Sequence, residues 1–105
     1  MKRHLKIYRG TSLLGYVGLD DGLGPCSPFE PAEGFSAVEA LFHREYELAM
    51  QLDDTDPEEE SQTIEILDSL MEEILGPGIT MQSMDGQQTF ECMQLTIGDG
   101  RVCWR

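Results

Sequence analysis

The spacing of apolar residues changes several times along the chain, and each change marks a predicted element. Residues 4–9 and 12–19, HLKIYR and SLLGYVGL, alternate about the pair Gly10-Thr11. Glycine in the first place of a two-residue connection suits a type II′ turn, so residues 4–19 predict a β-hairpin. Such a turn sets Ile7 opposite Leu14 and Leu5 opposite Tyr16 on one face. Tyr8, Leu13 and Val17 share the other face. Both faces are then partly apolar, and the pattern does not choose the buried one.

Residues 20–34, DDGLGPCSPFEPAEG, lose the alternation and are rich in proline and glycine, which interrupt helix and strand. They read as a connecting loop, with Phe29 as a candidate anchor. A helical period follows over 36–52. Phe35, Val38, Phe42, Ala49 and Leu52 form its stripe, widened by Leu41, Tyr46 and Leu48. Ser36 and Glu39 have the spacing of a capping box, in which each side chain satisfies a backbone N–H of the first turn.

A second helix is predicted over 56–75. Asp56 can cap it, and Pro57 tolerates the first helical position because its missing N–H has no partner there. Ile64, Leu67, Met71 and Ile74 form the apolar stripe, with Leu70 and Leu75 beside it, and Gly76-Pro77-Gly78 ends the helix. Residues 79–104 read as two successive hairpins about Asp85-Gly86 and Asp99-Gly100. The first pairs Met81 with Phe90 and Ile79 with Cys92. The second pairs Ile97 with Val102 and Leu95 with Trp104. The two sets fall out of phase between Cys92 and Met93. Either a β-bulge restores one common face, or both faces are covered. The order ββααβββ predicts a single α+β domain: an antiparallel sheet of about five strands with two helices packed on one face.

Charge adds to this picture. The 105 residues carry 20 acids and 7 Lys or Arg, a net charge of −13. The bases Lys2, Arg3, Lys6 and Arg9 crowd the start, and there is no Lys or Arg from Glu45 to Gly100. The segment LDDTDPEEESQTIEIL, residues 52–67, holds seven acids and no base. Glu58, Glu59 and Glu60 are ordinary for a first helical turn, where the positive end of the helix dipole favours acids. Asp53, Asp54, Glu65, Asp68, Glu72 and Glu73 are not explained that way. Nor is the absence of the lysines that usually alternate with acids on a solvated helix. So acidic a chain is a poor ligand for nucleic acid or for an anionic membrane, both of which need a basic footprint.

The residues offer little catalytic chemistry. Counting Asp54 as the first position of a calcium loop puts Asp56, Glu58 and Glu65 at ligand positions, but Glu59 stands where the loop needs glycine. His4 and His43 form no metal-binding spacing with Cys26, Cys92 or Cys103. An odd number of irregularly spaced cysteines argues against a disulfide scaffold, and Cys92 reads as a small buried hydrophobe. No glycine-rich phosphate loop is present. The expectation is a non-enzymatic cytoplasmic protein without metal or cofactor.

Its acidic face would dock on a basic protein partner, in the manner of an inhibitor or an immunity protein against a nuclease toxin. Asp53, Asp54, Asp56, Glu58, Glu59, Glu60, Glu65, Asp68, Glu72 and Glu73 would supply the field, and Tyr46 an anchor. The alternative is a homodimeric adaptor that hides one apolar face of its sheet, with Trp104 marking the interface if exposed.

Overall fold

The first hairpin forms where the alternation places it. In the computed structural model, which describes residues 2–19, 26–52 and 56–105, β1 (Arg3–Arg9) and β2 (Ser12–Gly18) run antiparallel on either side of Gly10. Gly10 takes φ +60°, which glycine adopts without steric cost. The register then departs from the predicted one. Tyr8 faces Leu13, but Ile7 faces Gly15 and Leu5 faces Val17. Leu14 is the extra residue of a β-bulge, and a shift of one residue transfers the rest of the strand to the opposite face. Val17 thereby joins Leu5, Ile7 and Leu14 in the core, while Tyr16 is turned away from it.

Among the described residues the sheet has seven strands rather than about five. Part of the difference lies in the predicted 20–34 loop, where Ser27–Pro31 forms β3 against β2 and a 3-10 turn follows over Glu33–Phe35. Proline removes a donor but does not forbid a strand where the ladder asks no hydrogen of it. Phe29, between Pro28 and Pro31, donates its N–H to the Gly100 carbonyl at 2.9 Å. Its side chain is buried.

The last quarter of the chain completes the sheet with β4 (Ile79–Ser83), β5 (Thr89–Glu91), β6 (Leu95–Gly98) and β7 (Arg101–Trp104). Met81 pairs with Phe90, Ile97 with Val102 and Leu95 with Trp104. The Asp99-Gly100 turn has both residues at positive φ, 54° and 71°, as a type I′ turn requires. At the other turn Asp85 accepts hydrogen bonds from the Ser83 hydroxyl at 2.6 Å and from the Gln87 N–H at 3.0 Å.

The strand order is β5-β4-β1-β2-β3-β7-β6, so β5 and β6 lie at opposite edges of the sheet. Yet only residues 92–94 separate them in the chain. The sheet must therefore curl until its edges meet, and the phase break at Cys92–Met93 is the corner where they do. Cys92 donates to Ile79 in β4, while Met93 and Gln94 donate to Arg105 beyond β7. Inside the curl lie Leu5, Ile7, Leu14, Val17, Ile79, Met81, Leu95, Ile97 and Val102. Burial of an aliphatic side chain of this size stabilises the fold by roughly 1.5–3 kcal/mol each.

The two helices are α1 (Glu39–Gln51) and α2 (Pro57–Leu75). Helix α1 starts three residues later than predicted, and no side chain caps it. The Ser36 hydroxyl bonds instead to the Glu33 carbonyl. Phe42 anchors α1 to the core through Phe35 and Phe29, at ring separations of 5.7 and 5.1 Å. Helix α2 packs on α1 and sends Leu70 and Ile74 inward. Its C-terminal carbonyls at Glu73 and Ile74 accept from the Arg9 guanidinium at 2.8 and 3.0 Å, which ties α2 to the first hairpin.

Cys26 and Cys103 are joined in a disulfide, with Cα atoms 4.8 Å apart. This corrects the reading of the cysteines as unpaired. The two are 77 positions apart in sequence, and only the β3–β7 pairing brings them together. Cys92 is the free cysteine and is buried.

Candidate functional site

Strand β6 presents Leu95 and Ile97 to the core and, by alternation, Thr96 and Gly98 to α1. The two outward residues receive two neighbours from one turn of that helix. Tyr46 lays its ring directly over Gly98, so closely that a Cβ there would come within 2.6 Å of ring carbon Cδ1. Glu45 comes down on Thr96, whose hydroxyl donates to Oε1 at 3.3 Å. Tyr46, expected as an exposed anchor, is half-buried and serves this packing.

Glu45 is the unexpected residue. Its side chain is only 4% exposed, and Oε2 is buried without a hydrogen-bond partner. Burial drives its pKa above the ordinary glutamate range, opposed by the weaker effect of the Thr96 hydrogen bond. The carboxyl group lies against a cleft of about 330 Å³ between α1, α2 and β6. Ala49, Leu52, Ile64, Leu67 and Met71 make the walls apolar, and Asp68, Gln94 and Thr96 add polar groups. Sequence reasoning passed over Glu45 as one acid among many. A signal was present: residues 38, 42, 45, 49 and 52 follow helical spacing, and Glu45 is the one charged member of that stripe.

A buried carboxyl group with a raised pKa has a stability signature. Folded Glu45 keeps its proton to higher pH than the unfolded chain does. Its favourable contribution is therefore complete below the unfolded pKa and is lost as pH rises through the raised folded value. Glu45→Gln should remove that decline, because a neutral amide has no charge to desolvate, and so raise the unfolding free energy at neutral pH above that of the wild type. Denaturant unfolding across a pH series checks this. Parallel curves for the two proteins would contradict it.

The other predicted site residues are placed plainly. Asp53 and Asp54 lie outside the described residues. Asp56, Glu58, Glu59, Glu60, Glu65, Asp68, Glu72 and Glu73 are all exposed along α2 or at its N-terminus. Asp68 lines the Glu45 cleft, whereas Glu65 and Glu73 line a second groove on the far side with Arg44, Ile66 and Leu70. Among the described residues none of these eight carboxylates forms an ion pair, although Arg44 lines one groove with Glu65 and Glu73. Arg3 makes a bidentate pair with Glu30 at 2.8 and 3.1 Å and stacks on Tyr16. Arg9 binds backbone carbonyls of α2, and Arg101 binds the Cys26 carbonyl. His43 is exposed and pairs with Glu47 at 3.0 Å.

The hairpin of α1 and α2 also carries apolar groups into solvent: Met50, Ile64 and Ile66 are 60%, 41% and 42% exposed. Trp104 is half-buried against the core and marks no open interface. Among the described residues no group of three His, Cys, Asp or Glu side chains could hold a metal, and no helix is long and apolar enough to cross a membrane. Comparison of the chain with protein-family models, curated proteins and solved structures finds no match.

Proposed function

We propose that the protein is a non-enzymatic binding protein that docks the acidic side of its helical hairpin on a basic protein partner. The observation that carries this reading is α2, whose eight acids from Asp56 to Glu73 are exposed and form no ion pair among the described residues. An unneutralised field of one sign steers an oppositely charged partner and raises its association rate. The exposed apolar residues Ile64 and Ile66, set among those acids, and Met50 on α1 supply the contact that charge alone does not. Basic proteins that themselves bind nucleic acid, such as nuclease toxins or defence proteins, have the complementary surface. An inhibitor or immunity role follows from occupying it.

The cytoplasmic location expected from unpaired cysteines loses that support, since bridges such as Cys26–Cys103 persist mainly in oxidising compartments. The function would then be exercised on a partner that is exported or met outside the reducing cytosol.

Affinity capture from the native host at low and at moderate salt would identify the partner. Replacing Glu58, Glu59, Glu65 and Glu72 together with glutamine should then slow association at low salt about tenfold and flatten its salt dependence. Stopped-flow mixing measures this, and an unchanged rate would refute the placement. A homodimeric adaptor is the second reading, favoured by strand β5, which is exposed along its whole length with Phe90 at its centre. Light scattering separates the two: the dimer reading requires twice the 11.8 kDa chain mass.

A further inference from the structure

We infer that the cleft between α1, α2 and β6 is the specific anchor of this surface and takes one lysine side chain of the basic partner, with Glu45 receiving the ammonium group. The inference rests on the docking reading above and deepens it by naming the group that the surface selects.

Shape and chemistry both favour lysine. The cleft walls, Ala49, Leu67 and Met71 among them, suit a four-carbon apolar stem, and the cleft's one buried carboxyl group is that of Glu45, Asp68 being exposed at the lining. Long cationic side chains bind in this divided way, with stem on apolar surface and head on a charge. Oε1 already accepts from Thr96, which leaves one oxygen, Oε2, for the ligand. Arginine presents a planar fork that needs two free oxygens, whereas ammonium is a compact charge satisfied by one strong acceptor. Oε2 is closed off in the free protein. The terminal torsion of glutamate is soft, so ligand entry requires the carboxyl group to rotate and carry this oxygen toward the cleft, with the Thr96 hydroxyl following Oε1.

Charge surrounds the cleft on the correct side. Asp68, from α2, is the other titratable group in its lining. The remaining lining residues of α1 and α2 are apolar, and β6 with its preceding link contributes the neutral Gln94 and Thr96. An arriving cation therefore meets no basic lining group. It favours the ionised form of Glu45, so binding should release a proton from that residue and tighten as pH rises through its raised pKa.

The probe is a short amphipathic helical peptide of leucine and lysine, with an arginine-for-lysine version beside it. Wild-type protein should bind the lysine peptide, and calorimetry across a pH series, in buffers of different ionisation enthalpy, should detect proton release at acidic pH that vanishes once pH exceeds the raised pKa of Glu45. Glu45→Gln should weaken binding at least about tenfold and abolish that release. Because Glu45→Gln is expected to stabilise the fold, lost binding would not be lost folding; thermal unfolding of the variant checks this. Equal affinity of wild type and Glu45→Gln, with salt-dependent binding retained, would overturn the lysine anchor and leave the acidic docking surface standing. Arginine binding at least as dependent on Glu45 would overturn the choice of lysine. Failure of the wild-type protein to bind either peptide would overturn both readings.

Discussion

Removing the Cys26–Cys103 bridge, by reduction or by Cys103→Ser, is expected to lower the unfolding free energy by about 4 kcal/mol. The size follows from the 77-residue sequence separation, since a cross-link of that span withdraws a large amount of entropy from the unfolded chain. For a domain of this size such a loss lowers the melting temperature by roughly 15–30 °C. The bridge also has a local role. Strands β3 and β7 pair only through Ser27–Val102 and Pro28–Arg101, the shortest ladder in the curled sheet. Beside that seam lie the disulfide and the Arg101 contact to the Cys26 carbonyl. Reduction should therefore release β7 first, visible as faster amide exchange at Val102 and Cys103 than at Ile7 or Met81. Thiol titration of the denatured, unreduced protein should find one free group, Cys92. Three reactive thiols would refute the bridge and the stability change with it.

Local chemistry made several elements readable from sequence. The turns at Gly10, Asp85-Gly86 and Asp99-Gly100 were visible because each needs particular residues. Pro57 and the stripe from Ile64 to Ile74 marked α2 for the same reason. Features set by distant partners were not readable. Strand β3 was hidden because its prolines weigh against a strand until β2 and β7 are known to flank it. The bulge at Leu14 was hidden because both faces of the first hairpin carry apolar residues, so hydrophobicity alone could not fix the register. The disulfide joins residues brought together only by the pairing of β3 with β7. Glu45 lay between these cases. Its position on the apolar stripe of α1 was legible, but the carboxyl group acquires its burial and its cleft only from α2 and β6. The acids of α2 were legible as a charged surface, and nothing in their spacing pointed to the groove beside them.

Gly98→Ala is expected to cost about 3 kcal/mol, at the upper end of what overpacking usually costs. The added Cβ would sit 2.6 Å from Cδ1 of Tyr46 and nearer still to Cγ and Cδ2. These atoms lie close to the helix backbone, so no rotation of a flexible tip relieves the clash. Helix α1 has to move away from β6. A double-mutant cycle tests this cause directly: in a Tyr46→Ala background the same Gly98→Ala change should be nearly neutral. An equal loss in both backgrounds would show that the ring contact is not responsible. The displacement should also reach the cleft, because Glu45 and Tyr46 are adjacent on α1 and rest on Thr96 and Gly98, adjacent positions on one face of β6. Lifting α1 admits water to Oε2 and lengthens the Thr96 hydrogen bond. The pKa of Glu45 should then fall back toward that of an ordinary glutamate, read from its carboxyl carbon resonance across a pH titration. A fall of that kind would show that the close packing of Tyr46 on Gly98 holds Glu45 dry, so that a residue without a side chain on β6 sets the chemistry of a carboxyl group on the facing helix.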